Sequence, residues 1–477
     1  MDPKYLLTDE QVIRFITRGY LVLENDLPPS FHQSILDSIA YRFAEEGNPG
    51  NNILPSVPQL EKCFNTPVVQ GALTSILGDN YYMHPHRHCH YNQPGQAVAQ
   101  GWHKDGYWSS MRSHRPWWAI VFYYTQDITE EMGPTEIMPG SQYYEKYAGE
   151  DMETGLPYGK AGTMVLVHFD MWHRASLNRT NIDRYMLKFQ FVRLEQPAYP
   201  TWNHQNPELI VPEDAISLYD HRPIWNDVWN WMLGQGNERR GGTAIAVQEH
   251  TAILQGDDEP AALNAAYTLG QMGTEGAAAL LAVMRDGEEA AALRAAYGVS
   301  TAGQDAVPGL IEALKTENDR RAGYAAFALG MQGHTAHLAV PALIESLDHS
   351  SKWVRRNAVE ALGMIRQPAN EVIPALIRAL SIEDEDGSAD KRADNQRYIL
   401  HKVRYAAALS LLRIGQESAA RAAVAALRDA LEDEDRYVRA YASEALTFIK
   451  SDEAVETLIA FFRKSRWCSS TNKSSTF

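Results

Sequence analysis

The chain has 477 residues, of which 45% are hydrophobic and 22% charged, a composition typical of a globular protein built from two or three domains. A formal net charge of -16 argues against a broad nucleic-acid or anionic-membrane surface, because such surfaces concentrate Lys and Arg. No apolar run approaches the roughly 18 residues that a membrane span requires, so we expect neither a membrane segment nor a nucleic-acid partner.

The cysteines and the N-terminus indicate the compartment. Cys63, Cys89 and Cys468 lie far apart in sequence and form neither a zinc motif nor a disulfide framework, which favours a reducing environment. The first residues lack the charged and apolar regions of a signal peptide. We therefore expect a cytoplasmic protein.

The chain up to about residue 205 is rich in aromatic residues, His and Pro, and predicts a β-structure. Thr8 and Gln11 have the spacing of a capping box, which predicts a helix that ends near Arg18-Gly19. Short β-prone runs follow, with turn sequences such as 131–134 and 138–141 between them. These runs occupy residues 20–23, 119–124, 163–167 and 186–192. Many short strands separated by turns indicate a β-sandwich or barrel.

Residues 206–242 are predicted to link the two parts of the chain. They contain Trp225, Trp229 and Trp231 in a segment with the pattern of an amphipathic helix. Such a helix either packs between domains or covers a substrate as a lid, and the packing role is the simpler expectation.

From residue 243 onwards, the chain is rich in alanine and contains two alternating motifs. We call the first the alanine motif; its copies begin at Ala265, Ala295, Ala325 and Ala358, with later copies centred on Ala407 and Ala442. The second, the proline motif, carries Pro308, Pro341 and Pro374 at a spacing of 33 residues.

Proline is tolerated in the first turn of a helix, so each proline motif is predicted to open a second helix of its repeat. Two helices that cannot bury their own apolar faces must stack into a solenoid. Residues 243–465 therefore predict an all-α repeat domain, with a polar insertion at 383–397 and a disordered tail at 466–477. The motifs resemble HEAT repeats of the short type found in bilin-lyase-like proteins.

The first part of the chain also contains candidate metal ligands. His103 and Asp105 are two residues apart, so in an extended segment both side chains point to the same side. Two histidines and one carboxylate on one face of an octahedron leave three positions open, as in non-haem Fe(II) oxygenases. His168 and His173 are both available as the second histidine. Arg184, eleven residues after His173, has the planar guanidinium that pairs bidentately with a carboxylate.

Together, these residues resemble the phytanoyl-CoA dioxygenase family from residue 6 to about residue 195. The resemblance implies a double-stranded β-helix, or jelly roll, with flanking helices in a domain of residues 1–205. It also implies that His103, Asp105 and His173 bind Fe(II) and that Arg184 anchors 2-oxoglutarate, while His168 has a structural role. The segments that carry the resemblance are 7–11, 18–23, 102–105, 133–136, 139–141, His173, Asn178 and Arg184.

A row of four histidines precedes the first metal motif. His84, His86, His88 and His90 alternate along the chain, which would place all four on one face of a strand. We expect this row to form a polar pocket wall in which His86 or His90 hydrogen-bonds 2-oxoglutarate or the substrate. A separate metal site is the alternative.

Aromatic residues surround the metal motif. Tyr107 and Trp108 lie just beyond Asp105, where the chain leaves the metal, and Trp102 lies just before the motif. We take these three residues as candidate substrate contacts, although large aromatic residues often serve the core instead.

The resemblance implies an enzyme that consumes O2 and 2-oxoglutarate, releases succinate and CO2, and attacks an unactivated C–H bond. Hydroxylation of a small organic substrate, such as a natural product or a carrier-bound molecule, is the expected outcome. Desaturation and cyclisation remain alternatives, and no residue indicates the substrate. Asp105 argues against halogenation, because halogenating relatives carry a small residue at that position.

The repeat domain raises further hypotheses. Solenoids commonly present a concave binding surface, so the repeats could recruit a protein partner, a carrier-bound substrate or a second copy of the chain. The whole chain could instead be a binding scaffold with a secondary metal site, or could handle a tetrapyrrole as bilin lyases do. The intact set of His103, Asp105, His173 and Arg184 favours the enzyme.

Overall fold

The computed structural model of the protein describes residues 1–95, 98–106, 108–147, 149, 152–236, 241–383 and 402–465. Tyr107, most of the predicted insertion at 383–397 and the predicted tail at 466–477 lie outside these residues. In the first part of the chain the elements are α1 (Asp9–Arg18), β1 (Tyr20–Glu24), α2 (Pro29–Glu46), α3 (Ile53–Ser56), α4 (Leu60–Phe64), α5 (Pro67–Leu77), β2 (Tyr81–Asn92), β3 (Trp118–Tyr124), β4 (Thr135–Ile137), β5 (Thr163–His168), β6 (His173–Ala175), β7 (Arg184–Arg193) and α6 (Arg222–Met232).

Helix α1 confirms the predicted capping box. The Gln11 backbone N–H donates to Thr8 Oγ1 at 3.3 Å, and the Thr8 N–H donates to Gln11 Oε1 at 2.9 Å. Gly19 ends the helix with a φ of 79°, and a Cβ at this position would lie 2.1 Å from Met171 Cε. Glycine is therefore required where the chain turns directly from α1 into β1.

The strands form two antiparallel sheets among the described residues. The larger has five strands in the order β1-β5-β3-β7-β2, and the smaller pairs β4 with β6. Strands β3 and β7 are buried along their whole length in the centre of the larger sheet. The predicted strands are thus confirmed, and a sheet with flanking helices is the architecture expected of this part of the chain.

Alternate residues of β7 serve the two faces of the larger sheet. On one face, the Phe189 ring packs against Phe64 of α4, with 4.2 Å between ring centroids. Phe43 of α2 covers the same face through Tyr91 of β2 at 5.6 Å. The opposite face, which carries Arg184, is left to line a cavity.

Helix α6 is a packing helix. Trp225, Trp229 and Trp231 are all buried, and the indole N–H groups of Trp229 and Trp231 donate to Pro207 O and Gln196 Oε1. None of the three tryptophans lines the cavity described below. The alternative of a substrate lid is therefore not supported by their positions.

The second part of the chain is entirely helical among its described residues. Its helices are α7 (Ala244–Leu254), α8 (Glu259–Gly270), α9 (Gly273–Asp286), α10 (Glu289–Val299), α11 (Val307–Ala313), α12 (Asp319–Gln332), α13 (Val340–Glu345), α14 (Lys352–Ile365), α15 (Ala369–Leu380), α16 (Val403–Ile414), α17 (Val424–Ala430), α18 (Arg436–Ile449) and α19 (Asp452–Lys464). None of the described helices combines the length and the hydropathy that a bilayer-spanning helix requires.

The alanine motifs lie on helices α8, α10, α12, α14, α16 and α18, which contact one another in that order. We call this layer the inner helices. Pro308 and Pro341 lie in the first turns of α11 and α13, as predicted. Pro374 departs from the prediction, because α15 begins five residues earlier and Pro374 lies inside it. Short 3-10 turns precede the other two prolines, whereas here the α-helix itself continues through the equivalent residues.

Close packing of the inner helices predicts the effect of Gly298→Ala. A Cβ at Gly298 would lie 2.4 Å from Ala266 O on α8, so alanine forces α8 and α10 apart. We expect a net loss on the order of 1–2 kcal/mol in the free energy of unfolding, because overpacking outweighs alanine's better helix propensity. Urea unfolding followed by circular dichroism measures it.

Gly241→Ala is the control, since a Cβ there meets nothing within 4 Å. Equal stability of the two variants would contradict the close packing of α8 on α10.

Candidate metal centre

A cavity of about 550 Å³ lies between the two sheets. Its walls come from β2, β3, β4, β6 and β7 and from the loop that includes residues 100–106. The side chains that line it and carry ionisable or amide groups are His86, His88, His90, Gln100, His103, Lys104, Asp105, His173, Arg184 and Lys188. The cavity is therefore polar and contains three cationic side chains beside one carboxylate.

His103, Asp105 and His173 meet in this cavity. One ligand atom from each lies within 4.8 Å of the other two, and His173 Nε2 is 3.8 Å from Asp105 Oδ1. A two-residue antiparallel bridge sets this geometry: the N–H of His103 donates to His173 O at 3.1 Å, and the reverse bond is 3.0 Å long. Two imidazoles and one carboxylate are the donors that a non-haem Fe(II) site uses.

Backbone carbonyls orient both imidazoles in the same way. His103 Nδ1 lies 3.0 Å from Gly101 O, and His173 Nδ1 lies 3.0 Å from Met171 O. Because a carbonyl only accepts, Nδ1 carries the proton in each ring and Nε2 keeps a lone pair for a metal. Burial lowers the pKa of His173 to about 4, so this imidazole is neutral at physiological pH.

Lys188 is a site residue that sequence reasoning missed. Its ammonium contacts Asp105 Oδ2, while Asp105 Oδ1 faces His173. Burial opposes ionisation of Asp105, but Lys188 and His173 outweigh it and hold the pKa of this carboxyl well below its usual range. The available signal was positional: Lys188 shares a strand face with Arg184, in a run that is otherwise largely apolar.

Arg184 lies at the start of β7 and lines the same cavity. It is 1% exposed, and its Nε and Nη1 atoms are buried without a hydrogen-bond partner in the part of the chain that the structure describes. A buried guanidinium with unpaired N–H groups is costly unless an anion completes it. The residues present therefore fit a carboxylate-bearing cosubstrate as well as a metal ion.

Comparison with known families separates the chain into the same two parts. Residues 18–186 match the family model described as phytanoyl-CoA dioxygenase (PhyH). Residues 307–389 and 401–467 match the model for HEAT repeats. The chain carries a PhyH domain followed by HEAT repeats. The PhyH match of residues 18–186, together with the His-Asp-His cluster, supports a non-haem Fe(II)- and 2-oxoglutarate-dependent oxygenase.

Among solved structures, the α-ketoglutarate-dependent epimerase SnoN from nogalamycin biosynthesis is similar at 14% identity, with 39% of this chain and 83% of that chain covered and a TM-score of 0.35. The non-heme monooxygenase ThoJ in complex with Ni is similar at 16% identity, with 46% of this chain and 94% of that chain covered and a TM-score of 0.33. EctD from S. alaskensis with bound Fe is similar at 18% identity, with 39% of this chain and 76% of that chain covered and a TM-score of 0.34. With TM-scores below 0.5, these similarities carry no argument about activity or substrate.

The histidine row of the PhyH domain is divided. A register shift between Met83 and Arg87 interrupts the pairing of β2 with β7. His86, His88 and His90 line the cavity, whereas His84 is buried outside it, so the expectation of four histidines on one face is corrected.

The three cavity histidines are neutral. Burial lowers the pKa of His86 to about 3 and that of His88 to about 4, and places that of His90 well below its usual value. Among the described residues, the group of His103, Asp105 and His173 is the only cluster of three suited to a metal. The alternative of a second metal site on this row is thus not supported.

Two predicted substrate contacts of the PhyH domain are corrected. Trp108 is buried, donates from Nε1 to Gln190 Oε1, and packs against Tyr437 of α18 rather than lining the cavity. Trp102 lies beside the cavity, with the Arg174 guanidinium 4.4 Å from its ring centroid. The predicted contact at Tyr107 lies outside the described residues.

His168 lies apart from the metal cluster, as expected. It is buried, and its Nδ1 accepts from the Asp170 N–H at 3.2 Å. His114 is also buried, and its Nδ1 lies 2.8 Å from the hydroxyl of Tyr267 on α8.

A buried ion pair beside the metal cluster predicts the effect of Asp170→Ala. Asp170 pairs with Arg112, whose Nη2 donates to the backbone oxygen of Asp105 at 2.9 Å. Both side chains are buried, so the variant leaves an uncompensated buried charge. We expect a loss of about 3–5 kcal/mol in the free energy of unfolding, measured by urea denaturation.

Glu153→Ala, which removes the partner of Arg18 at a more exposed position, is the matched control. We expect it to cost at most about 1 kcal/mol. Similar losses in the two variants would show that the Arg112 pair is no more important than a surface pair.

Proposed function

We propose that the protein uses Fe(II), 2-oxoglutarate and O2 to hydroxylate an unactivated C–H bond of a small organic substrate, with release of succinate and CO2. The observation that carries the proposal is the buried guanidinium of Arg184, whose Nε and Nη1 find no hydrogen-bond partner among the described residues, in the same cavity as the His-Asp-His cluster. We place this activity in residues 1–205, with 206–242 as linker, 243–465 as repeat domain and 466–477 as tail.

His103, Asp105 and His173 are the proposed iron ligands. Each imidazole offers Nε2, because its Nδ1 is engaged by a backbone carbonyl. Lys188 occupies Asp105 Oδ2 and leaves Oδ1 on the side of His173. This arrangement favours a single carboxylate oxygen as ligand and leaves room for other groups on the metal. The iron and its cosubstrate supply the oxidising chemistry when bound.

Arg184 is the proposed anchor for the far carboxylate of 2-oxoglutarate. Its planar guanidinium offers N–H groups that a carboxylate accepts bidentately. His86 and His90 are the proposed polar contacts of the cosubstrate or the substrate. Since both are neutral, each ring both donates and accepts a hydrogen bond without adding charge to the cavity.

An anaerobic titration with Fe(II) and 2-oxoglutarate tests the proposal through the visible metal-to-ligand charge-transfer band. We expect the band in wild-type protein and its loss in His173→Ala. Arg184→Ala should keep iron but bind 2-oxoglutarate at least about 10-fold more weakly, because charge-assisted hydrogen bonds are lost.

His204→Ala and Arg179→Ala are matched controls, since neither residue lines the cavity. Absence of the band in folded, iron-loaded wild-type protein would remove the oxygenase proposal and leave a binding scaffold built on the repeats as the better hypothesis.

Isotope labelling tests the reaction outcome separately. Incubating the iron-loaded protein with metabolite extract, 2-oxoglutarate and ¹⁸O2 should give a product that gains one labelled oxygen atom, detected by mass spectrometry. A product that loses two hydrogens without gaining the label would replace hydroxylation by desaturation or cyclisation.

A further inference from the structure

The inner helices of the repeat domain face the oxygenase domain. Tyr267 of α8 contacts His114 through its hydroxyl at 2.8 Å, and the Tyr297 hydroxyl of α10 donates to Glu145 at 2.8 Å. Both tyrosines directly follow the paired alanines of the alanine motif. The surface on which a solenoid commonly binds a partner is therefore in contact with the same chain.

Helix α14 contacts residues 108–115, which we call the post-ligand segment because it closely follows Asp105. Glu360 accepts from the Ser110 backbone N–H at 3.0 and 2.9 Å with its two oxygens, and from Ser110 Oγ at 3.0 Å. Trp353 Nε1 donates to Ser110 O at 3.0 Å. The polar backbone groups of Ser110 are thus both satisfied by one helix of the repeat domain.

A third residue of α14 adds to this contact. Arg356 donates to the backbone oxygen of Trp108 at 3.0 Å and lies 3.3 Å from Glu360. Both charged side chains are buried, and a buried ion pair is costly unless further hydrogen bonds complete it. Here the post-ligand segment supplies those bonds. Without the segment, Glu360 and Arg356 would be buried with fewer hydrogen bonds, so the pair holds the segment in place.

The post-ligand segment in turn holds a proposed iron ligand. Arg112, two residues after Ser110, donates from Nη2 to the backbone oxygen of Asp105 at 2.9 Å. A direct path of hydrogen bonds and a short stretch of backbone therefore joins Glu360 of the repeat domain to Asp105.

Helix α18 reaches the part of the cavity wall formed by His86, His88 and His90, which we call the histidine wall. The Tyr437 hydroxyl lies 2.7 Å from Nδ1 of His86, and the Tyr441 hydroxyl lies 2.6 Å from Nε2 of His84. His86 lines the cavity, and with Nδ1 engaged by Tyr437 its Nε2 is the nitrogen left for a ligand. The repeat domain thus fixes a wall residue as well as the segment behind Asp105.

We propose that the repeat domain is a positioning part of the oxygenase site, and that its inner helices bind the chain's own post-ligand segment and histidine wall. Glu360 and Tyr437 are the positioning residues. Glu360 acts on Asp105 through the post-ligand segment and Arg112, and Tyr437 acts through His86. This proposal rests on the proposed function, since it assigns these contacts to the binding of iron and 2-oxoglutarate.

The test compares full-length Glu360→Gln and Tyr437→Phe with two controls. Tyr324→Phe removes a buried repeat-domain hydroxyl that bonds to Glu289 within that domain. Gly309→Ala crowds Leu281, whose Cδ1 would lie 2.4 Å from the new Cβ, between α11 and α9, which are not inner helices. The first readout is hydrogen exchange of the metal-free protein, followed by mass spectrometry. The second is the affinity for 2-oxoglutarate with Fe(II), taken from the charge-transfer band.

We expect Glu360→Gln to speed hydrogen exchange in peptides covering Ser110 by about 10-fold, because the backbone N–H of Ser110 loses a charged acceptor. Tyr437→Phe should leave those peptides unchanged. Both variants should bind 2-oxoglutarate with Fe(II) roughly 10-fold more weakly, as is common when groups behind a ligand are removed. Both controls should bind as wild type does.

Two results would overturn the proposal. Wild-type affinity in both variants, while the wild-type band is present, overturns this inference alone and makes the repeat domain a structural attachment. Absence of the band in wild-type protein overturns the proposed function together with it.

Discussion

The site depends on one backbone contact, the two-residue bridge between His103 and His173. The loop that carries His103 and Asp105 has little regular structure of its own, whereas His173 begins a strand of the smaller sheet. Two hydrogen bonds fasten the loop to that strand, so both imidazoles and the carboxylate approach one point. Because each imidazole is also turned by a carbonyl two residues before it, the geometry is set by backbone rather than by long flexible side chains.

The charges in the cavity connect the metal cluster, which contains Asp105, with Arg184. Asp105 is balanced by Lys188, whereas Nε and Nη1 of Arg184 have no hydrogen-bond partner among the described residues. Fe(II) and the 2-oxoglutarate dianion carry equal and opposite charges, so binding both leaves the charge of the cavity unchanged. Iron alone would instead add two positive charges near Lys188, in surroundings that screen charge poorly. The arrangement therefore suits a metal and a cosubstrate that bind as a pair.

Local patterns were sufficient for much of this structure. The capping box of α1, the central strands, the alanine motif and the spacing of His103 and Asp105 all depend on neighbours in sequence. What escaped prediction depends on partners far away in the sequence. Trp108 packs on Tyr437, and the histidine row is split by a register shift in β2 and by contacts with α18. Lys188 was missed because an isolated lysine in a strand has no motif, and its meaning comes only from the carboxylate opposite it.

The contact of successive inner helices with the enzyme also constrains how this chain can evolve. A free solenoid can gain or lose a unit in the middle of its array, because each unit contacts only its neighbours. In this chain Tyr267, Glu360 and Tyr437 occupy different units, and each contacts a different residue of the oxygenase domain. Inserting or deleting one unit between them would shift every later contact by a whole repeat. The number of units between α8 and α18 is thus constrained by the enzyme that they contact.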